Sequence, residues 1–147
     1  MLFTPTEFPT TLHVWSLLLR VHGVKTQLVS ARLQAAYGLS INDYETLSAL
    51  SRAPGQRMKR VDLARALLIS SSGVTRLLDG LRDAGLVERT ASDADLRVAY
   101  AQLTAAGAAM LELASGDYVD AIGMLLETHL TADELVQLGD LLGKLSD

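Results

Sequence analysis

Leu63 to Arg97 reads LARALLISSSGVTRLLDGLRDAGLVERTASDADLR, and no other stretch of the 147 residues limits the fold as tightly. A short apolar-patterned helix gives way to a polar break at Ser70, Ser71 and Ser72. A second helix runs to Ala84, with Val74, Leu77, Leu78 and Leu81 spaced i, i+3, i+4 and i+7, an amphipathic repeat. Gly85 is a left-handed stop for it. Leu86–Thr90 and Val98–Leu103 alternate apolar residues in the manner of strands, and ASDADL between them has turn chemistry. Helix, tight turn, helix and hairpin in that order make a winged helix-turn-helix, whose second helix is shaped to enter a DNA major groove.

The flanks add long helices. Thr10 to Tyr37 reads as one helix closed by Gly38, with a broad apolar surface of Leu12, Trp15, Leu17, Leu18, Leu19, Val21, Val24 and Leu28. That surface exceeds what one small core needs. Ser40 caps a second helix, broken at Ala53-Pro54-Gly55, and a third spans Arg60–Leu68. Thr104 caps a fifth helix to about Leu126, and Thr131 a sixth to Leu145. Of the 44 residues from Thr104 onward, 23 are hydrophobic, too many for two helices that each face water on one side. Gly107, Gly116 and Gly123 lower helix propensity, so either close packing or a bend near Gly116 is expected. The expected class is mainly α (α+β): one domain over 1–147, with a winged-helix lobe at about 40–103 between long terminal helices at about 10–37 and 104–145.

Charge is segregated along the chain. The formal net charge is -4. Yet Arg57 to Tyr100 holds eight basic residues against six acidic ones, while Thr104 to Asp147 holds one basic against eight acidic. The middle can meet phosphates while the C-terminal part faces elsewhere. There are no cysteines, which excludes disulfides, cysteine-bound zinc and thiol redox sensing. The three histidines, His13, His22 and His129, are scattered, so no metal and no cofactor is expected. No apolar run reaches the ~20 residues of a membrane span. Met1–Thr11 lacks a basic region ahead of an apolar one, so a signal peptide is not expected and a cytoplasmic protein is the default. No glycine-rich phosphate loop or nucleophile elbow appears, and an enzyme is not expected.

On the second helix of the motif, Ser71, Ser72, Thr75, Arg76 and Asp79 lie opposite the apolar stripe. Small hydroxyl residues, with Ser70 as cap, let backbone and side chains approach phosphates and bases, and Arg76 has the fork that pairs with guanine. The plainer reading, an ordinary capped helix in a bundle, does not explain the charged hairpin behind it. A winged-helix module that binds protein rather than DNA is the rival; Arg57, Lys59, Arg60, Arg65, Arg76, Arg82, Arg89 and Arg97 around the motif favour double-stranded DNA.

Asp95-Leu96-Arg97, five further residues, Leu103-Thr104 and then Gly107 resemble the wing signature of MarR-type transcriptional regulators. Leu63-Ala64 with Leu67, the serine turn, Val74-Thr75-Arg76, Leu78 with Leu81, and Gly85-Leu86-Val87 resemble the upstream part of the same pattern. The resemblance spans nearly the whole chain. It implies a homodimer whose first, fifth and sixth helices intertwine, a repressor on a pseudo-palindromic operator, and DNA contact or wing support by Arg97 with Asp95 orienting it; alternatively Asp95 and Arg97 only brace the hairpin. Arg89 is a further candidate for phosphate. The resemblance also implies release by a small aromatic acid between the dimer helices and the DNA lobe. His13, Trp15, Arg20, His22 and Tyr44 are its candidate lining, although Trp15 with Leu12 and Leu19 equally reads as dimer core.

Overall fold

The computed structural model describes residues 9–146; the signal-peptide reading falls largely on positions before them, outside the described residues. The chain folds as α1 (Thr10–Tyr37), α2 (Ile41–Arg52), a 3-10 turn (Pro54–Gln56), β1 (Arg57–Lys59), α3 (Arg60–Leu67), α4 (Ser71–Asp83), β2 (Val87–Ala91), β3 (Ala99–Leu103), α5 (Ala105–Glu127) and α6 (Ala132–Gly143). This is the expected winged helix-turn-helix between long terminal helices. One element was not foreseen. Arg57–Lys59 pairs antiparallel with β3, so the sheet has three strands in the order β1-β3-β2. A three-residue strand after a proline turn is too short to show periodicity, and its partner lies more than forty residues away, Met58 facing Ala101.

Local chemistry sets the helix ends. Gly38 closes α1 at φ +69, and its N–H reaches Gln34 O. Ser40 and Asp43 cap α2 reciprocally: the Ser40 hydroxyl accepts from Asp43 N–H, and the Asp43 carboxylate accepts from Ser40 N–H. Thr131 and Glu134 repeat the device on α6. Gly85 stops α4 at φ +75, where a Cβ would be strained.

The core lies between α1, α2, α5 and the motif. Leu33, Leu47, Leu50, Leu63 and Val74 are fully or almost fully buried. Val74, Leu78 and Leu81 present the inner stripe of α4, with Leu86, Val87, Ala101 and Leu103 from the sheet side. Outside this core the terminal helices stand bare. Trp15, Leu19, Val119, Val136 and Leu145 are each more than half exposed.

The glycines of α5 divide. The helix is continuous from Ala105 to Glu127, so Gly116 marks no break. Gly107 is the close approach: a Cβ there would lie 2.1 Å from Leu86 O and 2.7 Å from a Leu103 methyl carbon. Around Gly116 there is open space within the chain. Gly107→Ala is expected to destabilise the fold by about 1–3 kcal/mol, the usual range for overpacking. That is a drop of several degrees in thermal midpoint, and circular dichroism melting would measure it; an unchanged midpoint would mean that the turn moves aside at no cost.

Candidate nucleic-acid interface

Ser70 begins α4 in extended conformation, and its hydroxyl accepts from Gly73 N–H at 3.1 Å. Its oxygen also lies 3.1 Å from Ser72 Oγ. Gly73 sits against this cap, since a Cβ would be 3.2 Å from Ser70 Oγ; its smallness serves the cap. Ser71, Ser72 and Arg76 are exposed. Among the described residues Arg76 joins no ion pair, so its guanidinium is free to bind. Asp79 on the same side of the helix is 3.7 Å from Arg82. Thr75 is half-buried and more committed: it donates to Ser71 O at 3.1 Å and accepts from Arg60 Nη1 at 3.0 Å.

The turn before α4 carries Leu68 in the left-handed region at φ +55, a conformation that non-glycine residues adopt infrequently. It closes α3 by sending its N–H to Ala64 O, and its side chain is 89% exposed.

The wing is held by its own side chains. Ser92 N–H donates to Val98 O, and Ser92 Oγ accepts from the N–H groups of Ala94 and Asp95. Arg97 then grips Asp95 in bidentate fashion, with Nε and Nη2 donating to the two carboxylate oxygens at 3.1 and 3.2 Å; its backbone N–H adds a third bond to the same carboxylate. The side-chain and backbone hydrogen bonds from Arg97 hold the Asp95 carboxyl below its usual value, so it is ionised at neutral pH. The pair therefore braces the hairpin tip while leaving most of the Arg97 side chain in water. Arg89 is exposed on β2.

The five residues read as a ligand lining do not meet within one chain. His13, Trp15 and Arg20 are exposed along the first half of α1. His22 borders a shallow hollow with Ser30, Ser40 and Asn42. Tyr44 is buried and stacks on Tyr118, ring centroids 4.0 Å apart, with its hydroxyl 3.1 Å from Ser115 Oγ. What the fold assembles instead is an apolar cavity of about 200 Å³ between α1, α2 and α5, bordered by Lys25, Val29, Ile41, Tyr118, Ile122 and Leu125. Its lining comes from three separated helices, and no local pattern in the sequence announces it. Tyr118 donates to Glu45 Oε1 at 2.6 Å; burial, then this hydrogen bond to a carboxylate, pushes its hydroxyl well above the ordinary tyrosine value. Tyr37 likewise donates to Asp117 at 2.5 Å, which raises its own value. These bonds join α1 and α2 to α5.

Among the described residues no helix is long and apolar enough to cross a membrane.

The comparisons with known proteins agree with this architecture. The MarR family model matches residues 37–97. The HTH-type transcriptional repressor Rv2887 of Mycobacterium tuberculosis is 34% identical over 129 residues, covering 88% of this chain and 90% of that protein. AbsC, a MarR family transcriptional regulator of Streptomyces coelicolor, superposes with a TM-score of 0.83 at 29% identity over 99% of this chain and 95% of its own. A mutant MarR of Escherichia coli complexed with operator DNA gives a TM-score of 0.80 at 28% identity, covering 91% and 94%. The likeness to a repressor over 88% of this chain and the match of the family pattern to the helix-turn-helix show the family: the chain belongs to the MarR family of DNA-binding transcriptional regulators.

Proposed function

We propose that the protein is a homodimeric repressor that reads an inverted-repeat operator, placing one α4 in each of two major-groove segments and each wing beside the neighbouring minor groove. The bare apolar faces of the terminal helices carry this reading. Val14, Trp15, Leu19 and Val21 on α1, with Val136, Leu141 and the following Leu145 at the other end, are between 46% and 67% exposed. So much apolar surface on a lone chain belongs to an interface. A second copy is the natural occupant, because an isologous contact covers both ends of both chains with one symmetry operation.

Such a dimer buries roughly 2,000 Å² or more and presents its two reading helices about one DNA turn apart. Light scattering at micromolar concentration is expected to return twice the 15.8 kDa chain mass, and footprinting an inverted repeat with half-site centres about 10 bp apart. A folded monomer, or full affinity for a single half-site, would exclude this arrangement.

Arg76 is the base reader of this proposal, its exposed and unpaired fork suited to guanine O6 and N7. Arg76→Ala is expected to cost about 1–3 kcal/mol and to relax preference at one base pair per half-site. Competition gel shifts on single-base operator variants measure both effects; an equal loss on every sequence would assign Arg76 to phosphate instead.

The effector of this reading is an aromatic acid in the cavity between α1, α2 and α5. About 200 Å³ accommodates a single ring, since engineered apolar cavities of roughly 150 Å³ take up benzene, and Lys25 offers the carboxylate a cation. Benzoate titrated by calorimetry is expected to bind the wild type, with an affinity about tenfold weaker in Lys25→Ala, the loss of one charge-assisted hydrogen bond. Equal affinity in both would move the acid elsewhere.

A further inference from the structure

We propose that Arg60 is a phosphate contact of the DNA complex, held in position by the Thr75 hydroxyl in the cleft between the recognition helix and the wing. The inference rests on the placement of α4 and the wing proposed above. A duplex with one element in its major groove and the other in the adjacent minor groove has a sugar-phosphate strand between them. That strand must pass over the cleft that separates α4 from the sheet.

Arg60, Arg82 and Arg89 border this cleft, with Glu88 its one acid among the described lining. Arg82 is engaged with Asp79. Arg60 has no carboxylate partner among the described residues. It is the first residue of α3, exposed to solvent, and its Nη1 donates to Thr75 Oγ1 at 3.0 Å across to α4. One of its five N–H donors is used and four remain.

The Thr75 hydroxyl gives its single hydrogen to Ser71 O at 3.1 Å. It has no donor left to offer a phosphate, and one of its two lone pairs is taken by Arg60. Thr75 is thus a positioning residue. It fixes the free end of a long side chain before DNA arrives and removes rotamer freedom that binding would otherwise have to freeze. Fifteen residues of separation and two different helices hide the pair from any periodicity in the sequence.

The test is fluorescence anisotropy with the full chain, using a duplex from the DNA upstream of its own coding sequence and an unrelated duplex, between 50 and 200 mM salt. Removing one phosphate contact flattens the slope of log affinity against log salt by about 0.9. The proposed dimer carries two copies of Arg60, so the slope flattens by about 1.8 and the advantage of the wild type over Arg60→Ala narrows about 12-fold across that range, equally on both duplexes. Arg60→Gln, which keeps a donor for Thr75 and loses the charge, gives the same flattening. Thr75→Val weakens both duplexes about 5- to 100-fold, the worth of one hydrogen bond in each protomer, and Thr75→Ser restores wild-type binding. In the Arg60→Ala background Thr75→Val has no further effect. A wild-type slope in Arg60→Ala and Arg60→Gln would overturn the phosphate contact. Full additivity of Arg60→Ala and Thr75→Val would place Thr75 on the DNA itself and overturn its positioning role. A wild type that binds neither duplex at 50 mM would overturn the operator reading, and this inference with it.

Discussion

Thr104 holds together the two functional parts of the chain. Its hydroxyl accepts from Gly107 N–H to start α5 and donates at 2.7 Å to Gly85 O, the residue that ends the recognition helix. Its own N–H donates to Leu86 O. Gly107 lets the two backbones come together by having no Cβ to place against that same Leu86 carbonyl. Three hydrogen bonds and one missing methyl group thus fix where α4 ends relative to where α5 begins. In the dimer proposed above, the direction of each α4 depends on that angle, so a turn of a few residues sets the geometry on which the proposed half-site spacing rests.

The electrostatics follow the same division. The basic excess lies in the motif and the wing, and the acidic excess on α5 and α6. At the wing, Asp95 would oppose phosphate if it stood alone. Bidentate capture by Arg97 neutralises it and converts it into a brace, while Asp93 leaves the tip, Ser92 to Arg97, with one net negative charge. Among the described residues, Arg76 and Arg60 are cations that join no ion pair. A screened, modestly basic surface of this kind binds DNA in a strongly salt-dependent way.

Much of the fold was legible because it is written locally. Thr10–Tyr37 emerges with its expected limits, and Ser40, Ser70, Thr104 and Thr131 cap the helices assigned to them. The outward face of α4 follows from Val74, Leu78 and Leu81 turning inward. What stayed hidden is whatever joins residues far apart in sequence. β1 needs β3 to exist as a strand. Arg60 needs Thr75 to acquire a fixed position. The cavity needs Lys25, Ile41 and Tyr118 from three helices, whereas His13, Trp15, Arg20, His22 and Tyr44 shared only an aromatic and cationic character. Tyr44 illustrates the difference: its ring belongs to the core, stacked on the residue that does line the cavity.

Tyr118 joins the cavity to the seat of α2. One face of its surroundings is the apolar cavity, and its ring and hydroxyl are held on the other side by Tyr44 and Glu45 of α2. Cavity shape and the seating of α2 on α5 are therefore one mechanical variable rather than two. In the effector reading proposed above, the carboxylate contact at Lys25 fixes where a guest sits, and a ring that presses on Tyr118 presses on a joint that α2 shares.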